Sequence, residues 1–586
     1  MRNSVKKLSQ GTLQRILKYV GKYPIATVCS LLLAVVTVSS TLLAPIYFGD
    51  AIDCIVEGNV RWDELTALFV KTGVAVAVAV LSQWLMSLCN NYVSCNVVRD
   101  IRKDAFAKIG ALPLQYLDTH SHGDTVSRII ADADQFSDGL LMGFTQFFTG
   151  IMTIVGTIAF MLLTHVWIGL VVILVTPASL FVAKFVSSRT YKYFQAQTKT
   201  RGEQTAFVEE AIAGLKTAQA FAHEEENQQK FDEINARLEK TSLQATFFSS
   251  LTNPSTRFIN NLIYALVALL GALAVVSGNG GFTVGGLQKF LSYANQYTKP
   301  FNEISGVVTE LKGAFACAER IFALMDEQEE VPDKDNVDLG QAKGNIALKN
   351  VSFSYVKDKP LIENLNLDVY QGQRIAIVGK TGSGKTTLIN LLMRFYDVDG
   401  GQVCVEGKDI REITRRTLRQ NYGMVLQETW LKSATVKQNI SLGKPGATEE
   451  EIVQAAKAAH AHGFIKRLPK GYDTVLGEDG GSLSEGQKQL LCIARILLLL
   501  PPMLILDEAT SSIDTRTELK ISDAFQTLMK GRTSFVVAHR LSTIVNADVI
   551  LVMEKGSVVE QGSHTQLMQK RGAYYRLYHS QFEVVG

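Results

Sequence analysis

Six apolar stretches in the first 310 residues constrain this chain more than any other feature. They fall near 24–54, 66–98, 136–163, 166–190, 246–277 and 283–310. Each is long enough to cross the ~30 Å hydrocarbon core of a bilayer as a helix. In hydrocarbon each backbone N–H and C=O needs an internal partner, so a single apolar run satisfies itself only as a helix. The first stretch, around Thr27–Tyr47, is too long for a signal peptide, lacks a convincing cleavage site and is followed by further spans, so it is read as retained. The third and fourth are split only by Leu163-Thr164-His165-Val166, a tight external hairpin.

Basic residues set the expected orientation. Arg2, Lys6, Lys7, Arg15, Lys18 and Lys22 precede the first span, Arg99, Arg102, Lys103, Lys108 and Arg128 follow the second, and Lys184, Arg189, Lys192, Lys199 and Arg201 follow the fourth. The alternate connections are nearly bare, with Arg61 in one and Lys289 beyond Ser277–Gly286. Both termini are therefore placed in the cytoplasm. Ser9–Val20 reads as an amphipathic helix along the inner surface. The internal segments 99–135 and 185–245 are polar and rich in helix formers, which predicts helical extensions running well past the bilayer. Leu114–Asp124 and Glu209–Phe221 are candidate crosspieces at their tips.

The net charge of +3 gives no global field that would recruit nucleic acid. Seven cysteines (Cys29, Cys54, Cys89, Cys95, Cys317, Cys404, Cys492) lack the paired spacing of a disulfide framework or a zinc site. Beyond a polar, acidic linker at 327–345, short strands and helices alternate as a parallel α/β core requires. The domains are thus set at 1–326, with six spans and an interfacial helix, and 346–586.

Gly379-Lys380-Thr381-Gly382-Ser383-Gly384-Lys385-Thr386 fits the phosphate-cradling pattern G-x-x-x-x-G-K-[ST] at every fixed position. Glycines let the backbone N–H groups turn toward phosphate oxygens, and the following helix adds its positive end. Lys385 can reach the terminal phosphates and the Thr386 hydroxyl can ligate Mg²⁺; Thr387 opens the helix read over Thr387–Phe395. Arg374–Val378 is a buried strand feeding the loop, and Met503–Leu506 is a second apolar strand ending in Asp507-Glu508. Carboxylates at such a strand end sit at the ligand crevice.

With Leu483-Ser484-Glu485-Gly486-Gln487 before that acidic strand, nearly the whole chain resembles an exporter half-transporter of the ATP-binding cassette (ABC) superfamily, of the multidrug-resistance type. The pentapeptide resembles the family's L-S-G-G-Q signature. The resemblance implies an all-α membrane domain followed by an α/β nucleotide domain, with ATP and Mg²⁺ as cofactors. It implies that Tyr355 stacks on adenine and that Gln427 senses Mg²⁺ and the attacking water. Asp507 would help hold Mg²⁺, Glu508 would act as general base, His539 would contact the γ-phosphate, and Asp514 would link the two sites. Ser484, Gly486 and Gln487 would cap the nucleotide held by a second half-transporter, and the two crosspieces would be coupling helices.

Glu485 departs from the family pattern by replacing the first glycine, putting a carboxylate near the partner's γ-phosphate. This favours a heterodimer with one weakened site over a homodimer. Polar residues within spans are costly and face a cavity or another helix. Gln83, Trp84, Gln146, Asn260, Asn261, Tyr293, Asn295, Gln296 and Tyr297 suggest a hydrophobic or amphipathic cargo. Export of such compounds leads, with lipid flipping by the same engine as the alternative and an ATP-gated channel or regulatory membrane ATPase behind it. A bacterial inner membrane suits the layout.

Overall fold

The computed structural model describes residues 2–582 other than 57–59, 278–281, 334–338, 341, 357–358, 427–428, 478–479, 482, 508–512 and 538–540. Two compact units emerge: Met1–Ala111 with His120–Glu327, and Leu112–Thr119 with Gln328–Gly586.

The first unit holds helices α1 (Arg2–Val20), α2 (Pro24–Val56) and α3 (Trp62–Ala111). The chain then passes through α4 (Leu114–Thr119), which belongs to the second unit, and returns as α5 (His122–Ile129), α6 (Ala131–Met142) and α7 (Thr149–Thr164). It continues through α8 (Val166–Ala213), α9 (Leu215–Phe221), α10 (Glu224–Val276) and α11 (Val284–Asp326). By length and composition, Pro24–Ile55, Trp62–Ala111, His122–Thr164 and Arg257–Val276 can cross a membrane. The apolar stretches near 166–190 and 283–310 lie within α8 and α11. The third stretch is not one regular helix, because Gly143–Phe148 between α6 and α7 is a π-helical turn. Such turns locally shift the helical register.

The apolar faces meet in two clusters. One gathers Val38, Leu42, Met161, Ile263, Phe290 and Tyr293, and the other Val93, Val97, Ile101, Phe136, Ala318 and Ile321. Some of the polar groups beside them are paired, as burial favours. The Tyr293 hydroxyl donates to the Leu42 carbonyl at 2.9 Å, and Ser30 donates to Asn90. One end of α2 is clasped to the start of α11. Lys289 pairs with Asp50, and Asp53 accepts from the Thr283 hydroxyl and the Gly285 N–H, each at 2.7 Å. At the far ends of the extensions, Arg320 grips Asp132 with two bonds of 2.6 and 2.7 Å, and Arg15 holds Asp326.

The second unit has two sheets. The four-stranded antiparallel sheet, in order β2-β1-β4-β5, contains β1 (Ile346–Phe353), β2 (Ile362–Val369), β4 (Gly400–Val405) and β5 (Lys408–Asp409). The six-stranded sheet, β10-β9-β3-β8-β7-β6, contains β3 (Arg374–Val378), β6 (Tyr422–Val425), β7 (Met503–Asp507), β8 (Thr533–Val537), β9 (Val549–Glu554) and β10 (Ser557–Gly562). Strands β9, β3, β8, β7 and β6 run parallel, so their C-terminal ends share one edge. Buried helices cover the sheet, among them α12 (Lys385–Leu392), α17 (Glu485–Leu499) and α18 (Thr515–Met529). The smaller helices are α13 (Arg415–Gln420), α14 (Val436–Ile440), α15 (Glu449–Ala458), α16 (His462–Ile465), α19 (Leu541–Val545), α20 (His564–Lys570) and α21 (Ala573–Phe582).

Candidate functional site

The site grows from β3, whose residues Ile375–Val378 are all buried between β8 and β9. A strand so enclosed fixes where its successor loop begins. At Gly379, φ is +154°, and a Cβ there would lie 2.3 Å from the Met553 carbonyl oxygen. Gly384, at φ +99°, occupies the N-cap of α12 and offers no side-chain oxygen to the helix N–H groups. The first-turn donors of α12 thus remain available to an anion. Helix α12 starts at Lys385, two residues before the Thr387 start expected from sequence.

Lys385 reaches back over the loop, its ammonium donating to the carbonyls of Gly379 at 2.8 Å and Lys380 at 3.0 Å. Burial holds its pKa below the ordinary lysine value, with the Asp507 carboxylate opposing that shift. The buried Ser383 hydroxyl has no hydrogen-bond partner among the described residues. An orphan donor, an uncapped helix start and a loop entry at Gly379 closed to any Cβ fit a phosphate chain. Thr386 is exposed on the first turn of α12, and Asp507 ends β7 at the same sheet edge. This is a hydroxyl–carboxylate set of the hard-oxygen kind that Mg²⁺ takes.

Gln427, Glu508 and His539 lie outside the described residues. The strands leading toward them, β6, β7 and β8, end at Val425, Asp507 and Val537 on that same edge, with Val425 paired to Leu506 and Asp507 to Val537.

Tyr355 follows β1. Its ring meets Phe353 and Tyr396 edge-on at 4.9 and 5.0 Å, and its hydroxyl accepts from Asn390 Nδ2 on α12 at 3.3 Å. The phosphate helix and the aromatic are thereby linked, leaving the Tyr355 ring partly exposed. Asn390 was not singled out in the sequence, since a single amide carries no pattern.

The signature pentapeptide is a helix start. Ser484 caps α17, its Oγ accepting from the Gln487 N–H at 3.4 Å while Gln487 Oε1 accepts from the Ser484 N–H at 3.1 Å. This reciprocal capping box is the S-x-x-Q form, set before the apolar run of α17. A Cβ on Gly486 would lie 2.5 Å from Thr517 Cγ2, so glycine there lets α17 approach α18. Glu485 turns to Lys488 one turn along, at 2.7 Å, and accepts from the Thr429 hydroxyl at 3.4 Å. Asp514 caps α18 by accepting from the Thr517 N–H at 2.9 Å, and that bond lowers its pKa.

Within the same unit, the α4 segment sits against the sheet bearing Tyr355. Tyr116 is buried, Leu114 packs on the core beneath β1, and the Tyr396 hydroxyl donates to Asp118. Burial, then Asp118, keeps the Tyr396 phenol above the usual tyrosine range. No pattern in the sequence marked Tyr396.

The suggested cargo residues are dispersed. Gln83, Trp84, Gln146, Asn261 and Asn295 are exposed and Asn260 is half-buried, whereas Tyr293 and Tyr297 belong to the core of the first unit. Gln296 is half-buried beside a groove.

Residues 27–301 match the family model of the ABC transporter transmembrane region, and 362–511 the family model described as ABC transporter. A fatty acid ABC transporter ATP-binding/permease protein of Mycobacterium tuberculosis is 41% identical over 500 residues, covering 85% of this chain and 79% of its own length. A putative multidrug export ATP-binding/permease protein of Bacillus subtilis is 35% identical, covering 97% of this chain and 99% of its own. A solved bacterial Atm1-family ABC exporter with ATP bound superposes with a TM-score of 0.76 at 29% identity, over 95% of this chain and 98% of that one.

Proposed function

This chain belongs to the ABC transporter family, and from that premise we propose that it exports hydrophobic or amphipathic compounds as one half of a heterodimer, its membrane region being 1–326, its linker 327–345 and its ATP-binding domain 346–586. It is a multi-pass membrane protein whose ATP hydrolysis drives export, and exporters of this family work as dimers on lipid or hydrophobic cargo. The observation that carries the reading is the joint presence of a phosphate cradle and a capped signature helix in one unit, on a chain with membrane-spanning helices.

In this reading the Gly379–Gly384 amides and Lys385 hold the phosphates, with Thr387 in the first turn behind them, while Tyr355 takes the adenine. Thr386, Asp507 and Gln427 would hold Mg²⁺, which when bound neutralises charge on the transferred phosphoryl group. Glu508 accepts the proton of the attacking water, and His539 orients the γ-phosphate. Ser484, Gly486 and Gln487 complete the partner's site, so ATP closes the pair and hydrolysis reopens it. The termini lie on the cytoplasmic face of a bacterial inner membrane.

Glu485 supports unequal subunits. Its carboxylate is 58% exposed, so its pairing with Lys488 is strongly screened and leaves most of the cost of approaching a partner's phosphates. Lipid flipping is the second reading, favoured by the relative named for fatty acid.

The test is Mg-ATPase activity and native mass of the chain expressed alone, and of the assembled transporter, each beside Glu508→Gln. We expect the isolated chain to be inactive, and the assembly to lose hydrolysis by more than about 100-fold on substitution while still binding ATP. An active dimer of this chain alone would overturn the heterodimer, and persistent hydrolysis in the variant would overturn the role of Glu508.

A further inference from the structure

One run of contacts joins the phosphate helix to the first tip, and the candidate adenine aromatic lies in the middle of it. Asn390 on α12 donates from Nδ2 to the Tyr355 hydroxyl at 3.3 Å. The Tyr355 ring meets Tyr396 with centroids 5.0 Å apart and planes at 89°. Phe353, the last residue of β1, touches both rings, at 4.9 Å from Tyr355 and 5.6 Å from Tyr396. The Tyr396 hydroxyl donates in turn to the carboxylate of Asp118 on α4. All of these residues belong to the ATP-binding unit.

Packing decides which member can move. Phe353 and Tyr396 are buried, and rings in a close-packed core shift only with their neighbours. Tyr355 is partly exposed, so of the three rings it alone has room to turn. Edge-to-face pairs depend on orientation, because the positive rim of one ring meets the negative face of the other. A turn of Tyr355 therefore costs its contact with Tyr396 or its bond from Asn390. At the other end, α4 is six residues long, too short to hold itself as a helix without outside contacts. Asp118 is exposed, so its bond from Tyr396 competes with water and lasts only while that hydroxyl is held in place. A fixed ring with a seated tip, against a free ring with a loosened one, is a single two-state element.

A base stacked on Tyr355 would fix that ring. The phosphate cradle is built from Gly379–Lys385, to which Phe353, Tyr355, Tyr396 and Asp118 do not belong, so a ligand without a base leaves the ring free. We infer that Tyr396 is a positioning residue for Tyr355, and that a purine on Tyr355, rather than phosphate in the cradle, seats α4. This rests on the adenine role given to Tyr355 above. Coupling of this kind is reciprocal, so a seated α4 strengthens ATP binding by the same factor.

The experiment follows amide exchange over Leu112–Thr119 in the assembled transporter, with Mg²⁺ and saturating adenylyl imidodiphosphate or inorganic tripolyphosphate as probe. The nucleotide is expected to slow exchange about fivefold, and tripolyphosphate less than about 1.5-fold. Tyr396→Phe and, separately, Asp118→Ala are expected to remove the slowing and to raise KM for ATP about fivefold, as loss of one hydrogen bond implies. Asp118→Asn keeps an acceptor and should keep the slowing. A bond that merely supports the fold would speed exchange equally with and without nucleotide in these variants, leaving the ratio at its parent value. That result overturns the inference. So does tripolyphosphate slowing exchange as much as the nucleotide, or Asp118→Asn losing the slowing. The adenine reading fails separately, if Tyr355→Ala leaves KM for ATP unchanged.

Discussion

The tips of the two internal hairpins are built from similar short helices and end in opposite circumstances. Helix α4 belongs to the ATP-binding unit, with Tyr116 6% exposed and Leu112 7% exposed. Helix α9 has no buried residue, and Ile212, Leu215 and Phe221 around it are 69%, 51% and 73% exposed. Three large apolar side chains at one solvated tip are an unfilled contact rather than scattered surface hydrophobes. The first tip finds its socket on its own chain, whereas the second carries the chemistry of a socket-filler without one. Exporters of this family work as dimers, and we propose that a partner's ATP-binding unit supplies the second socket.

The sharpest way to break that comparison is to charge the second tip. Phe221→Asp combined with Leu215→Asp is expected to reduce cargo-stimulated ATP turnover about 100-fold in the assembled transporter. Thermal unfolding should stay within about 0.5 kcal/mol of the parent, because exposed positions contribute little to the fold of one chain. A variant that unfolds would show α9 to be internally packed, and one that keeps coupled turnover would remove the need for a socket.

The first tip should answer in the opposite sense. Tyr116→Ala is expected to destabilise the ATP-binding unit by about 3 kcal/mol, the usual cost of emptying a buried aromatic position, and to be visible by calorimetry of the full chain. If the loss fell on coupling with stability unchanged, the two tips would be alike and the contrast would fail.

The phosphate loop could be read from sequence because its chemistry is local: each glycine answers to a backbone position, and Lys385 follows at fixed spacing. The signature was read from its resemblance to the family pentapeptide, and the structure adds that Ser484 and Gln487 cap one helix end between them. Element ends were harder to place. The second tip was read from Glu209, but Glu209–Ala213 continue α8 and the break comes at Gly214, because those five residues are helix formers with no stop signal before the glycine. The π-turn at Gly143–Phe148 leaves no mark in an apolar run. The clasp of Asp50 and Asp53 to Thr283, Gly285 and Lys289 joins positions more than 200 residues apart, and no periodicity reports a pairing at that distance. The docking of α4 through Tyr396 and Asp118 was hidden for the same reason.

That last contact gives the smallest effect and the finest test of what holds the first tip. Tyr396 donates to Asp118, while its ring lies edge-on to Tyr355 and Phe353. Tyr396→Phe removes the bond and keeps the ring, so the expected loss is about 1 kcal/mol, read as faster amide exchange over Leu112–Thr119. Its pH dependence follows from the raised phenol pKa. A group whose folded pKa lies above its unfolded value contributes fully below the unfolded value, and loses that contribution as pH rises through the folded one. The unfolded value is the ordinary 10.0, so the difference between parent and Tyr396→Phe should stay level from pH 7 to about 10 and shrink only in stronger alkali. A difference that fell away between pH 7 and 9 would mean that the phenol is not held by burial and Asp118, and that Leu114 and Tyr116 alone seat the tip.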